Sequence, residues 1–164
     1  MDEEGQVLHA SYEGVHVLRF VGDIRYPISP ALERFIDQLF TTTTPIGMVV
    51  DLTQTTHIDS TNLGLLAKLA KLMGARRSEP VTIVCNREDI CEVLVSVGFD
   101  EVFRLVSESQ PNAPAGESVT LTASDPGPLA RTVLDAHRLL MGLNERNRAL
   151  FEDVVAALER EGPP

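Results

Sequence analysis

The stretch of residues 48–73 constrains the fold most, because its hydrophobic pattern changes abruptly partway along. Met48–Leu52 is an apolar run with β-branched residues, typical of a strand covered on both faces. Thr53–Asp59 is polar and predicts a turn, and from Leu63 to Met73 the apolar residues recur at helical spacing. The stretch therefore predicts a buried strand, a polar turn and an abrupt helix start.

Asp59 and Ser60 lie where the N-cap of that helix is expected. Their side chains can satisfy the unpaired N–H groups of the first helical turn. A serine in this place is either simply a cap or a site prepared to hold a phosphate, whose charge the helix N-terminus stabilises. Asp59 and the acidic chain as a whole would oppose such a charge.

The remaining elements of the first two thirds of the chain alternate between strand and helix. Gln6–Ser11 and Val15–Val21 predict a hairpin, Ser29–Pro30 a capped helix start, Val81–Cys85 a strand, Asn86 the cap of a helix that Gly98 ends, and Val102–Val106 a last strand. The order β-β-α-β-α-β-α-β predicts an α/β domain over residues 1–106, with helices packed on a mostly parallel sheet.

The C-terminal third differs in composition. Residues 107–128 are rich in proline and small residues and predict a linker, with a short strand at Val119–Thr122 as the alternative to an unstructured tether. Residues 129–164 predict a helical extension with a heptad-like apolar seam that includes Asn147. One interpretation is one long helix, or two helices broken near Gly142, folding back onto the domain. The other is a self-association element. Its oligomerisation candidates are Leu140, Leu143, Asn147 and Leu150.

Composition excludes several classes of function. The formal net charge is −10, from 14 basic and 24 acidic residues, which argues against binding to nucleic acid or to anionic membrane surfaces. No apolar run is long enough to span a membrane, and the acidic N-terminus is not a secretory signal. The two cysteines fit the reduced thiols of a cytoplasmic protein. The four histidines are scattered, so neither a metal site nor a cofactor is expected.

A hydrolase is also not expected, although His57, Asp59 and Ser60 are the residue types of a catalytic triad. A nucleophile elbow requires glycines two residues before and after the serine, where this chain has Ile58 and Asn62. Residues so close along one turn cannot easily form the serine–base–orienter chain. We therefore assign no catalytic residues.

The helix after Ser60 carries more apolar residues than one buried face needs. Leu65, Leu69 and Leu72 form a second stripe beside the residues that can face the sheet. Either the same chain covers this helix on two sides, for instance with its C-terminal segment, or the stripe is a protein contact beside Ser60. Both interpretations stay open at this point.

Three segments of the chain resemble the STAS domains of bacterial anti-sigma factor antagonists. Val49–Leu52 followed by Ile58–Gly64 is similar to the family signature, in which a strand ending in Asp-Leu precedes Asp-Ser-[Ser/Thr]-Gly-Leu-Gly at a helix start. Gly22–Ile24 with Ser29–Leu32 resembles the family's turn and first helix, and Leu94–Phe103 its last helix and strand. The resemblance covers roughly residues 6–106 and leaves the C-terminal helix outside.

This resemblance implies a cytoplasmic protein that acts by partner switching and is not an enzyme. The unphosphorylated form would bind an anti-sigma factor that is also a serine kinase, and so free a sigma factor. Phosphorylation at Ser60, with Thr61 as second choice, would switch binding off, and a PP2C-type phosphatase would reverse it. The expected switch-loop and partner-binding residues are Asp59, Asn62, Leu63, Gly64, Leu65, Lys68, Leu69 and Arg25.

Two positions depart from the family pattern, and both lie near the expected switch. Asn62 replaces a glycine, so the turn geometry there is expected to differ, although asparagine tolerates left-handed angles. Arg25 replaces an acidic residue and could pair with a phosphate or with Asp59, or be a solvated surface residue. The alternative function is a non-switching STAS scaffold that forms an oligomer, such as a homodimer, through the C-terminal helix.

Overall fold

The computed structural model describes residues 5–76, 79–108, 116–121 and 125–161. The strands are β1 (Gln6–Tyr12), β2 (Val15–Ile24), β3 (Gly47–Ile58), β4 (Thr82–Val84), β5 (Arg104–Val106) and β6 (Glu117–Ser118). The helices are α1 (Ser29–Thr42), α2 (Ser60–Ala75), α3 (Glu88–Ser96), α4 (Phe99–Val102), α5 (Pro126–Met141) and α6 (Glu145–Glu161). A short 3-10 turn, Tyr26–Ile28, leads into α1.

The strands form one sheet in the order β5-β4-β3-β2-β1-β6. β1 pairs antiparallel with β2 and with β6, whereas the pairs β2–β3, β3–β4 and β4–β5 are parallel. Each parallel pair requires a crossover connection, and the helices between the strands provide it. The predicted α/β class with a mostly parallel sheet is confirmed.

Strand β3 is longer than the sequence pattern predicts. The predicted turn at Thr53–Asp59 is wrong, because β3 continues to Ile58 and pairs with β2 as far as the Ile24–Ile58 pair. Threonine has a high strand propensity, and the buried Thr55 hydroxyl donates a hydrogen bond to the Phe20 carbonyl at 2.8 Å. The polar composition of this segment thus reflects a strand end near the surface rather than a turn.

Two predicted helix caps also differ from the structure. Ser29 is the first residue of α1 rather than its cap, and its hydroxyl donates to the Tyr26 carbonyl of the preceding 3-10 turn. Asn86 precedes α3 by two residues, and Arg87 occupies the N-cap position without a side-chain bond. At the other end of α3, Gly98 adopts a left-handed conformation with φ 79°, as expected of the residue that follows a helix.

Part of the predicted linker is ordered against the domain. Glu117 and Ser118 pair with β1, and the Val119 amide donates to the Val7 carbonyl at 2.9 Å. The strand therefore begins two residues before the alternative at Val119–Thr122, of which Thr122 lies outside the described residues. Helix α5 begins at Pro126, inside the predicted linker, because proline suits the first turn of a helix.

The C-terminal extension consists of two helices that fold back onto the domain. α5 ends at Met141 and α6 begins at Glu145, so the break falls at Gly142 as one interpretation predicted. Leu140 of α5 is fully buried in the same hydrophobic core as residues of β2, β3, α1, α2 and α3. The extension is thus packed in cis.

The four oligomerisation candidates differ in their environments. Leu140 and Asn147 are both fully buried within the chain, and Leu143 packs partly buried against the core. The Asn147 side-chain amide donates to the carbonyl oxygens of Val97 and Leu140, both at 2.9 Å. Only Leu150 of the four is exposed, at 53%. A homodimer through these positions stays a prediction, and it would require this packing to open.

The two cysteines lie side by side. Cys85 follows β4 and is buried, Cys91 lies half-buried in α3, and their sulfur atoms are 2.9 Å apart. Burial, together with the contact with the Cys91 sulfur, raises the pKa of the Cys85 thiol to about 12. Cys85 is therefore a protonated, unreactive thiol at neutral pH.

Two histidines face each other across the β1–β2 hairpin. His9 Nε2 lies 2.9 Å from His16 Nδ1, and the two rings are stacked. Burial lowers the pKa of His9, although Glu117 partly offsets this effect, and burial and the nearby His9 lower the pKa of His16. Both shifts favour the neutral imidazole, because two imidazolium ions side by side would repel each other.

This pair predicts a loss of stability below about pH 6.5, where the unfolded chain takes up more protons than the folded one. We expect the wild type to lose more free energy of unfolding from about pH 7.5 to about pH 5.5 than the variant H9Q/H16Q, measured by urea denaturation. Above pH 7.5 the two dependences should run parallel. Equal losses on acidification would contradict the prediction.

The cis packing of α5 predicts unequal effects of two leucine truncations. Leu140→Ala should lower the free energy of unfolding by about 2–5 kcal/mol, because it leaves a cavity in the core. Leu150→Ala, the matched change at an exposed site of α6, should change it by less than about 0.5 kcal/mol. If Leu150→Ala instead destabilises strongly and in a concentration-dependent way, Leu150 lies in an oligomer interface.

Candidate functional site

The candidate site lies where β2 and β3 end together and the chain enters α2. The last residues of the two strands, Ile24 and Ile58, are paired, and the Asp59 amide donates to the Ile24 carbonyl at 3.2 Å. Asp59 is the N-cap of α2 and Ser60 is its first residue. The parallel pairing of the two strands therefore fixes the position of the first turn of α2.

Asn62 closes the cap of α2. One carboxylate oxygen of Asp59 accepts hydrogen bonds from the Asn62 backbone amide at 3.0 Å and from its side-chain amide at 2.9 Å. Asn62 is fully buried and helical, and Glu13 is the only described non-glycine residue with positive φ. The tolerance of asparagine for left-handed angles is therefore not needed at this position. The Asn62 side chain instead adds a second hydrogen bond to the Asp59 carboxylate.

The Ser60 hydroxyl is half-buried and contacts a histidine of α5. Its Oγ lies 2.8 Å from Nε2 of His137, a residue 77 positions away in the chain. His137 Nδ1 lies 2.7 Å from the Val133 carbonyl oxygen, which can only accept, so Nδ1 carries a proton. In the neutral ring Nε2 is then the acceptor, and the Ser60 hydroxyl donates to it.

This Ser60–His137 contact does not make a catalytic triad. In a triad a carboxylate accepts the proton on the far nitrogen of the histidine and stabilises its charged form. Here a neutral backbone carbonyl accepts it, within the same helical turn. His57, the histidine nearest to Ser60 in the sequence, is exposed on β3. The contact orients the Ser60 hydroxyl, and the proton on the far nitrogen of His137 faces a backbone carbonyl instead of a carboxylate.

Gly64 allows α5 to approach α2 very closely. A Cβ atom at Gly64 would lie 2.3 Å from the Ala136 carbonyl oxygen and 2.6 Å from the Ala136 Cβ. Such distances are far below van der Waals contact, so only glycine fits here while α5 is docked. The backbones of the two helices cross one turn along α2 from Ser60.

A polar network links α2 to α1 and α5 beside this crossing. Lys68 forms ion pairs with Glu33 at 3.1 Å and Asp37 at 2.7 Å. The other oxygen of Glu33 accepts a hydrogen bond from the Thr132 hydroxyl of α5 at 3.0 Å. Burial alone would lower the pKa of Lys68, but its bonds to Asp37 and Glu33 raise it above its ordinary value. Lys68 thus remains charged, and its ammonium group is held by two carboxylates of its own chain.

The structure buries most of the expected partner-binding residues. Five of the eight lie almost completely inside the chain: Asn62, Leu63, Gly64, Leu65 and Leu69. Thr61, the second choice for phosphorylation, is 4% exposed. Of the two interpretations of the leucine-rich helix, the structure agrees with the one in which the same chain covers α2 on two sides.

Arg25 follows β2 and lies beside the start of α2. Its Nε lies 2.5 Å from Oδ2 of Asp23, and its side chain is 61% exposed. The other oxygen of Asp23 is buried and accepts no hydrogen bond from the described residues. Arg25 is thus engaged with a carboxylate at the end of β2, next to the strand end that leads to Asp59.

Sequence reasoning missed the residues of α5 that complete the site, namely Thr132, Ala136 and His137. Their positions fit the apolar and polar pattern of an ordinary amphipathic helix, and nothing local marks them. Only the packing of α5 across α2 brings them to Ser60, Gly64 and Glu33. The candidate residues Asp59, Ser60, Asn62, Gly64 and Lys68 all lie in α2 or at its N-cap.

The comparisons with known proteins identify the family. The family model of the STAS domain matches residues 7–111, and the chain belongs to this family. Among solved structures it is similar to an anti-sigma factor antagonist from Mycobacterium paratuberculosis, with a TM-score of 0.57 and 24% identity over 64% of this chain and 87% of that one. No curated protein matches at a significant level. Helices α5 and α6 lie beyond the family match.

Two further observations concern the described part of the chain. Within residues 5–76, 79–108, 116–121 and 125–161, no cluster of three or more His, Cys, Asp or Glu side chains is placed to hold a metal ion. Over the same residues, no helix is both long and apolar enough to cross a membrane.

The close approach at Gly64 predicts opposite effects of two glycine-to-alanine changes in α2. Gly64→Ala should lower the free energy of unfolding by about 1–3 kcal/mol, because α5 must shift. Gly74→Ala meets no atom within 4 Å and should stabilise by up to about 1 kcal/mol through helix propensity. Thermal or urea unfolding of both variants measures this. Equal effects would show that α5 does not press on Gly64 in solution.

Proposed function

We propose that this protein is an anti-sigma factor antagonist that acts by partner switching. In this proposal the unphosphorylated protein binds an anti-sigma factor that is also a serine kinase, and thereby frees a sigma factor. The protein itself is not the catalyst. The observation that carries the proposal is the position of Ser60, a half-buried hydroxyl on the first residue of α2, directly after the Asp59 cap of a STAS domain.

Phosphorylation of Ser60 is the proposed off-switch. The kinase would transfer the γ-phosphoryl group of ATP, forming the Ser60 Oγ–P bond, breaking the bond to the bridging oxygen and releasing ADP and the hydroxyl proton. A PP2C-type phosphatase would hydrolyse the phosphoserine to serine and inorganic phosphate. Ser60 is preferred over Thr61 because Thr61 is 4% exposed, whereas Ser60 is half-buried at the helix end.

The charge at the start of α2 supports this role. A phosphate adds about −1.5 to −2 charges, and the free N–H groups of a helix N-terminus favour an anion there. Asp59 already directs one oxygen to the Asn62 amides and opposes a second anion beside it. The modified domain would therefore remain folded while its surface at Ser60 becomes strongly negative. An acidic or apolar partner surface would then be repelled.

The neighbouring solved structure also supports the proposal, because it is an anti-sigma factor antagonist of the same fold. The alternative, a STAS scaffold without switching that assembles through its C-terminal helices, has less support. Leu140 and Asn147 already contact their own domain in the structure. The proposed cellular location is the cytoplasm, where such a kinase and a sigma factor would meet this protein.

The switch predicts distinct behaviour of two Ser60 variants. Full-length Ser60→Ala should retain the anti-sigma factor kinase in a pull-down and take up no phosphate, whereas Ser60→Asp should lose most of the binding. Phosphate transferred to the wild type from ATP should map to Ser60 by mass spectrometry. The proposal is wrong if the phosphate maps to a residue other than Ser60 or Thr61, or if Ser60→Asp binds the anti-sigma factor kinase as well as the wild type does.

A further inference from the structure

Helix α5 lies over the part of α2 that carries Ser60, and it does so at three places. His137 accepts from the Ser60 hydroxyl, Ala136 lies against Gly64, and Thr132 bonds to the carboxylate that pairs with Lys68. These contacts extend from the first turn of α2 to its middle. Any protein that docks on α2 beside Ser60 must therefore displace α5.

The docked helix also occupies the space on one side of the Ser60 hydroxyl. The Ser60 oxygen lies 2.8 Å from His137 Nε2, which is a direct hydrogen-bond distance. The His137 ring is 5% exposed and packs edge-on against Phe151 of α6, with ring centroids 5.7 Å apart. Because Phe151 confines the ring, a phosphate directed from Ser60 toward His137 would meet α5 and, behind it, α6.

A cleft lies beside the contact between α5 and α2, although Leu140 of α5 is buried in the core. A cleft of about 550 Å³ remains between the two helices, lined on one side by Ala67, Ala70 and Met73 and on the other by Leu139 and Leu143. Beside Ser60, the buried side-chain oxygen of Asn62 accepts no hydrogen bond from the described residues. A buried acceptor without a donor favours any state that supplies one.

The connection to the domain keeps α5 close after it separates. β6 pairs with β1 a few residues before α5 begins, so the released helices would stay tethered to the sheet. A short tether gives a high effective concentration and fast re-docking. Because the tethered helices compete for the same surface of α2, a partner must bind that surface more strongly than they do.

We propose that α5 and α6 form an autoinhibitory lid on α2. With the lid docked, α5 restricts the kinase's access to the half-buried Ser60 and keeps the anti-sigma factor from α2; full access for binding or phosphorylation requires the lid to leave. The identity of the competing partner rests on the proposed function, but the docking of the lid on α2 does not. The surface that α5 covers fits a helix with a small residue opposite Gly64, so the partner is expected to present such a helix.

The first test compares two alanine-to-leucine changes on α5. Ala136→Leu places a larger side chain of α5 against Gly64 and leaves the sequence of α2 unchanged. The control, Ala130→Leu, makes the same change at an exposed position of α5. Hydrogen exchange of the full chain should become about tenfold faster or more in α5 for Ala136→Leu only, with β2 and β3 still protected. Equal protection of α5 in both variants overturns a releasable lid. If Ala136→Leu does not fold, Thr132→Val, which removes the bond to Glu33, replaces it under the same criterion.

The second test places a phosphate on Ser60 directly. Full-length protein with phosphoserine encoded at position 60 is compared with protein carrying it at Ser96, an exposed residue near the end of α3. We expect phosphoserine at position 60 to speed hydrogen exchange in α5 and α6 by about tenfold or more, and phosphoserine at position 96 to leave it unchanged. Unchanged protection in both proteins would show that a phosphate is accommodated under the docked helix and would overturn the lid.

The third test separates the lid from the proposed function. The kinase found in the pull-down should phosphorylate Ala136→Leu about tenfold faster or more than wild type and Ala130→Leu, because more of the variant is open. Equal rates for a variant whose α5 exchanges fast overturn the lid as a competitor. If no kinase phosphorylates any of the three proteins, the proposed function fails, while the two exchange experiments still decide whether the lid opens.

Discussion

The close approach of α5 to α2 at Gly64 is the contact on which the rest of the site depends. A methyl group there would collide with the Ala136 backbone, so the helices can meet only because this residue is glycine. The approach brings His137 within hydrogen-bond distance of Ser60 and lets Thr132 reach the Glu33–Lys68 pair. It also buries Leu140 in the core of the domain. Because Gly64 has no side chain, the STAS domain can pack closely against α5, which lies beyond the family match.

The second constraint is the charge at the start of α2. Asp59 caps the helix through two bonds to Asn62, which ties one carboxylate oxygen to the first turn. The N-terminal dipole of α2 favours a phosphate on Ser60, while Asp59 and the net charge of −10 oppose it. These opposing terms act at one surface residue of a well-packed domain. Modification would therefore change what contacts Ser60, including α5, more than it changes the fold of the STAS domain.

Much of the domain could be predicted from the sequence, because its elements follow local rules. The β1–β2 hairpin, the helices of residues 29–42 and 60–75 and the left-handed Gly98 were expected from alternation, periodicity and turn chemistry. The errors were local too. The end of β3 was predicted as a turn because its threonines are polar, and Ser29 and Asn86 were assigned as caps that neighbouring residues displace. In each case tertiary pairing or a preceding turn outweighed a preference of one residue.

By itself the sequence determined the alternation of strands and helices in the first two thirds of the chain and the start of α2 at Asp59–Ser60, and it offered a break near Gly142 as one of two possibilities for the C-terminal helix. Each depends on residues adjacent in the chain, whose spacing carries the information. Only the tertiary structure decided which surface covers the leucines of α2, because the apolar seam of residues 129–161 is compatible with a second copy as well as with the chain's own domain. The contact between Ser60 and His137, 77 residues apart, has no local signature. It arises because Gly64 lets two helix backbones meet.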